Sequence, residues 1–182
     1  MATIARLESD WKTIPGSSLS DPALFNINPF ARIGKEWMLI TAGTAQDWNT
    51  MTASWGGLGV LWNRNVAFCF VRPTRHTWSF MERESLFTLS FFAEEHHSAL
   101  EFCGARSGRD TDKARGANLD PIVFDDGSIS FAQAKEVLVC RKLYSQDFDP
   151  ALFKDSGIEV NYPKKDYHRM YIGEIEAVHS PR

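Results

Sequence analysis

The chain has 182 residues, 43% of them hydrophobic and 24% charged, enough to bury a full core in one compact domain. A formal net charge of -3 gives no electrostatic footprint for a phosphate backbone, so nucleic acid is excluded as an expected partner. Arg6, Glu8 and Asp10 stand where a secretory signal needs an apolar run, and no later stretch is long and apolar enough to span a bilayer, so a cytoplasmic protein without membrane partners is expected.

Residues 1–29 combine Pro15, Gly16, Ser17, Ser18, Asp21 and Pro22, and read as an irregular N-terminal arm with room for one short helix before a domain over residues 30–182. A short apolar run at 37–41, turn residues at 43–47 and an extended pattern at 49–55 predict a hairpin. Residues 65–71 have the composition of a buried strand, ended by Pro73, which restricts Arg72 to extended geometry. A helix is expected next, with Thr74 as N-cap and Trp78 and Met81 at a helical interval. Residues 86–92 alternate as a strand with Leu86, Thr88 and Ser90 on one face. Residues 94–103 read as helix, 107–119 as a polar, glycine-punctuated stretch, 136–143 as a strand and 168–178 as the last strand. Connections this irregular exclude a doubly wound α/β domain and favour a barrel with excursions.

Several residue groups invite a chemical reading. Cys69, Cys103 and Cys140 lack any Cys-x-x-Cys spacing, which argues against a zinc knuckle or redox pair; Cys69 reads as a small buried hydrophobe, while Cys103, at a helix end, is open to a ligand-facing role. Gly56, Gly57 and Gly59 do not make a dinucleotide fingerprint, because Trp62-Asn63 and no helix follow; a tight bend or close backbone approach explains them. In Glu94-Glu95-His96-His97 only Glu94 and His97 would converge on a helix, so a solvated face and no metal site is expected. From Arg72 to Thr77, two hydroxyls (Thr74, Thr77) and two cations (Arg72, Arg75) gather at an expected helix start, which is either a phosphate site or an ordinary capped helix with surface arginines. The strand from Asn49 to Trp55 carries Thr50, Thr52 and Ser54 and ends in an indole, a pattern suited to a ring with hydrogen-bonding edges such as an isoalloxazine.

The strand Asn49 to Trp55, then Gly56-Gly57, then Val71-Arg72-Pro73-Thr74-Arg75-His76-Thr77 and Phe87-Thr88-Leu89-Ser90-Phe91-Phe92 together resemble the flavin reductase-like family. The similarity continues through Cys103-Gly104, the segment Ser107-Gly108-Arg109-Asp110 with Asp112-Lys113, and His168 to Ile175. Each motif alone is weak, and their order carries the resemblance. It implies a mainly β fold, an FMN-binding split β-barrel with short peripheral helices. It further implies that Asn49, Met51, Thr52, Ala53, Ser54 and Trp55 line the ring and ribityl chain, and that Arg72, Thr74, Arg75, His76 and Thr77 hold the phosphate. Ser107, Lys113 and His168 would approach the flavin, with His168 the one catalytic candidate. Arg75-His76 departs from the smaller residues of many relatives.

The expected activity is that of an NADH- or NADPH-dependent flavin reductase with flavin and nicotinamide as small-molecule ligands, in a homodimer whose flavin lies near the interface. Two alternatives remain open: a flavoredoxin-like electron carrier served by a redox protein partner, without its own nicotinamide site, and a flavin-binding module without turnover.

Overall fold

The computed structural model describes residues 4–6, 10–21 and 23–182; Glu8 and Pro22 of the expected arm lie outside the described residues. Its strands, in chain order, are β1 (Ala5–Arg6), β2 (Trp11–Pro15), β3 (Met38–Thr44), β4 (Asp47–Ala53), β5 (Gly56–Leu61), β6 (Arg64–Val71), β7 (Leu86–Phe92), β8 (Pro121–Val123), β9 (Ile129–Phe131), β10 (Ala134–Asp147) and β11 (Arg169–Pro181). Helices α1 (Pro29–Gly34), α2 (His76–Arg83), α3 (His97–Ala105) and α4 (Lys113–Gly116) occupy the connections. The fold is mainly β with short peripheral helices, as expected.

The main sheet runs in the order β4-β3-β7-β10-β11-β6-β5, so β4 and β5 form its two ends. Yet only Ser54 and Trp55 separate β4 from β5 in the chain. Two residues span at most about 7 Å, so the sheet must curl until its ends meet. No ladder joins β4 to β5 among the described residues, and the barrel is split at that seam. Inside it lies a core that includes Met38, Ile40, Met51, Cys69, Phe87, Leu89, Phe91, Leu138, Cys140 and Tyr171, closed by Phe80 and Met81 of α2. A second core, with Leu39, Phe92, Leu100, Cys103, Leu119, Phe131 and Val137, lies under α3, α4 and the small β1-β8-β9 sheet.

The predicted hairpin is β3 and β4, and residues 65–71 fall in β6. Thr88 and Ser90 do share a face: Thr88 donates to the Ile129 carbonyl at 2.6 Å, and Ser90 and Ser130 bond hydroxyl to hydroxyl at 2.8 Å. Two expectations are corrected, and one that left two alternatives is decided. The arm is not irregular throughout, because Trp11–Pro15 pairs antiparallel with residues 177–181 of β11, an interaction without local signal. Thr74 is not the N-cap of α2. A turn closed by the Arg75 N–H on the Arg72 carbonyl (3.0 Å) delays the helix, and Arg75 stands at the cap with no side-chain cap bond. The glycines mark no bend but lie inside β5, where close approach requires one of them: a Cβ on Gly56 would stand 2.7 Å from the Phe68 carbonyl oxygen.

Candidate functional site

The seam forms a cleft of about 390 Å³. One wall is the end of β4 and its exit, from Met51 to Trp55; the other is the end of β6, with Phe70, Arg72, Thr74 and Arg75; Asp166 and His168 close it from the approach to β11. Nine of the sequence-predicted residues therefore meet in one cavity: Met51, Thr52, Ala53, Ser54, Trp55, Arg72, Thr74, Arg75 and His168.

The other five lie apart from it. Asn49 is buried and donates to the Thr77 hydroxyl at 2.7 Å and to the Thr50 carbonyl at 3.3 Å, so this pair braces β4 against α2. Lys113 is also buried, donating to the carbonyls of Thr50 (2.7 Å) and Cys103 (2.8 Å). Asn49 and Lys113 line a separate cleft of about 400 Å³ beside Gly108 to Asp112. The Ser107 hydroxyl accepts from the Arg109 N–H at 3.2 Å, and the His76 ring packs edge-on against Phe80.

The hydroxyls of β4 are largely engaged within the fold. Thr50 bonds Thr41 at 2.9 Å, and Thr52 donates to the Leu100 carbonyl. What β4 presents at its open edge is backbone. Because the Thr50 carbonyl faces outward to Lys113, strand alternation turns the N–H and C=O of Thr52 toward the same edge. Ser54 follows, and among the described residues its hydroxyl has no hydrogen-bond partner. Trp55 is 45% exposed, which removes core packing as its role; its ring lies 5.2 Å from that of His168.

His168 is buried, and its Nδ1 lies 2.8 Å from the Tyr162 hydroxyl. Burial, then the nearby Arg72 charge, against Asp166 and with Arg75, pushes its pKa down to about 4, so the ring is neutral at pH 7. Arg72 binds both Asp166 oxygens (3.1 and 3.2 Å), donates to the Asn161 carbonyl (2.8 Å) and lies over the Tyr162 ring. Arg75 donates to the Gly104 carbonyl at 2.9 Å. Past Trp55 the cleft opens into an apolar groove of about 670 Å³ that shares Ser54, Trp55 and Phe70 and is walled by Ile33, Leu58, Phe148 and Tyr162.

Phe70, Tyr162 and Asp166 are site residues that sequence reasoning missed. Phe70 was hidden in a run that reads as buried on both faces. Asp166 meets Arg72 across 94 positions, a separation that no spacing rule reaches. Cys69 is fully buried, as expected; Cys103 is too, with its thiol raised by burial to about 11 against the pull of Lys113, so it offers no nucleophile. At the acidic-histidine run, the His97 ring lies tilted against Trp37, and its Nδ1 is 3.6 Å from Glu101.

A model of the flavin reductase-like domain matches residues 30–182. The chain belongs to the flavin reductase-like family. Among solved structures, the FMN-binding domain of a flavin reductase-like enzyme from Shewanella baltica aligns at TM-score 0.66 and 12% identity, over 97% of this chain and 80% of its own. Flavoredoxin from Methanosarcina acetivorans aligns at 0.64 and 18%, over 81% and 69%. A split-barrel-domain protein from Shewanella frigidimarina aligns at 0.62 and 17%, over 82% and 70%. At such identities the likeness speaks for the fold alone, a split β-barrel. No curated protein matches the chain. Among the described residues, no helix is long and apolar enough to cross a membrane, and no group of three or more His, Cys, Asp or Glu gathers as a metal site.

Proposed function

We propose that the protein is an FMN-dependent oxidoreductase of the cytoplasm, acting as an NADH- or NADPH-dependent flavin reductase, with the cofactor in the seam cleft. The observation that carries this reading is that one cavity joins two arginines, an open strand edge and an exposed indole that leads to an apolar groove. That set of chemistries suits a phosphate, a polar chain and an aromatic ring with carbonyl edges.

Arg75 offers its guanidinium to the phosphate, with Arg72 and Thr74 beside it. The backbone of Thr52 and the free hydroxyl of Ser54 would hold the ring's polar edge, while Trp55 and Phe70 would shield its apolar part. Burial raises the Tyr162 pKa, so its hydroxyl keeps its proton and can donate to His168 Nδ1, which leaves Nε2–H as a donor. His168 then serves as a fixed hydrogen-bond donor rather than an acid. FMN, when bound, would supply the redox chemistry, with reduced nicotinamide as the electron donor. Asn49 with Thr77, and Lys113 through the Thr50 carbonyl, hold β4 in place beside the cleft.

Anaerobic mixing of the FMN-loaded protein with NADH and with NADPH tests the reading. Bleaching of the oxidised flavin band at a catalytic rate is expected with at least one. Bound flavin that neither nicotinamide bleaches, but a reduced redox protein does, would identify a carrier. Failure to bind FMN would remove the cofactor assignment.

A further inference from the structure

The cationic end of the seam cleft already holds an anion from its own chain. Both Asp166 oxygens accept from Arg72, at 3.1 and 3.2 Å, and Thr74 donates to one of them at 3.3 Å. The Asp166 side chain is 12% exposed and lines the cleft, so its charge faces the ligand space rather than bulk water. Burial alone would raise its pKa. The Arg72 bond, its own backbone amide, the Arg72 charge and the Thr74 hydroxyl hold it below the usual carboxylate range, so it stays ionised at neutral pH.

We propose that Asp166 is the specificity-determining residue of this cleft: its carboxylate occupies the groups that a ligand phosphate would use, and an anionic ligand gains Arg72 and Thr74 only by displacing it. The identity of that ligand as FMN rests on the flavin reading above; the exchange of one anion for another does not. Two like charges cannot share one guanidinium at hydrogen-bonding range without strong repulsion. Arg75, which no carboxylate holds among the described residues, is free to meet the phosphate first. The exchange also reaches further along the chain. Asp166 and the Asn161 carbonyl tie to Arg72 the segment between β10 and β11 that carries Tyr162 and His168. Anion entry at Arg72 therefore loosens the segment that supports the imidazole.

Inorganic phosphate, titrated at constant ionic strength against chloride, is the probe. Asp166→Asn should bind it roughly ten-fold more tightly than the parent protein, and Asp166→Glu, which keeps the charge, should not. Unchanged or weaker binding by Asp166→Asn overturns the proposal, as does equal tightening in Asp166→Glu, which would assign the gain to the lost tie rather than the lost charge. A measurement on the unmodified protein stands if the variants do not fold. Lys164 and Lys165 are exposed beside Asp166. Saturating phosphate should speed tryptic cleavage there relative to other sites, and unchanged relative cleavage would mean that Asp166 is not displaced. The FMN-to-riboflavin affinity ratio should also rise about ten-fold in Asp166→Asn, since only FMN carries the phosphate. If both flavins bind with an unchanged ratio, the flavin reading stands and the gate falls; if neither binds while the phosphate results hold, the gate stands and the flavin reading falls.

Discussion

An imidazole that stays neutral behind an exposed indole gives the cleft a pH signature. Burial lowers the pKa of His168 to about 4, and burial also lowers His179, against the pull of Asp126 and Asp125. Both rings bind protons more readily in the unfolded chain. Stability is therefore at its full value above the ordinary histidine pKa of about 6.5 and falls as the pH drops from there toward 4. Melting temperatures at pH 7.5, 6 and 5 should decrease in that order, and His168→Gln should flatten the slope; an equal slope in the variant would remove His168 as a cause. Trp55→Phe should leave the melting temperature near the parent value, because the ring is not core, and change flavin affinity, spectrum or reduction rate. A stability loss with unchanged flavin properties would take Trp55 out of the site. Thr77→Ala should behave in the opposite way. It removes the shorter of the buried Asn49 amide's two bonds and leaves only the one to the Thr50 carbonyl, which costs about 1 kcal/mol and roughly 2–4 °C of melting temperature for each kcal/mol in a chain of this size.

Single strands divide into those that carry the barrel and those that guard its edges. β10 and β11 pair over almost their full length, and β11 takes β6 along residues 169–174 of its other side and β2 along residues 177–181. β2 thus continues the β6 edge, secured by a bond of 3.0 Å between Thr13 and His179. Removing residues 1–15 should lower the melting temperature and promote self-association, since a stripped strand edge is a template for pairing. Light scattering and calorimetry of the truncated protein would show this, and unaltered behaviour would mean that β2 adds nothing to the barrel. β4 solves the same edge problem with Lys113, whose ammonium covers the outward Thr50 carbonyl; burial, opposed by Cys103 and aided by Arg75, brings that lysine's pKa down to about 8.

Exposed apolar side chains cluster where β5 ends the sheet: Val60 is 71% and Trp62 55% exposed, with Tyr144 beside Trp62. Phe30, 87% exposed on α1, lines the groove next to the seam. Burying such a surface favours a two-fold pair of chains, and a homodimer is the expected state. Sedimentation should report twice the monomer mass at micromolar concentration. A monomer that still binds flavin would remove the dimer and any shared site with it.

Local chemistry made much of this protein legible in its sequence. Pro73 ended β6, turn residues placed the β3–β4 hairpin, alternation put Thr88 and Ser90 on one face, and the run from Met51 to Trp55 marked one wall of the cleft. What the tertiary structure decided are the pairings of groups remote in sequence. Asn49 and Thr77 look like ligand contacts in a linear reading, yet across 28 positions they satisfy each other inside the fold. Asp166 looks like one more loop carboxylate, yet 94 residues away it meets Arg72. β2 looks irregular until β11 supplies its partner. Periodicity and turn propensity act over a few residues and can be read from order alone, whereas a buried donor finds its acceptor only after the sheet has curled and brought its two ends together.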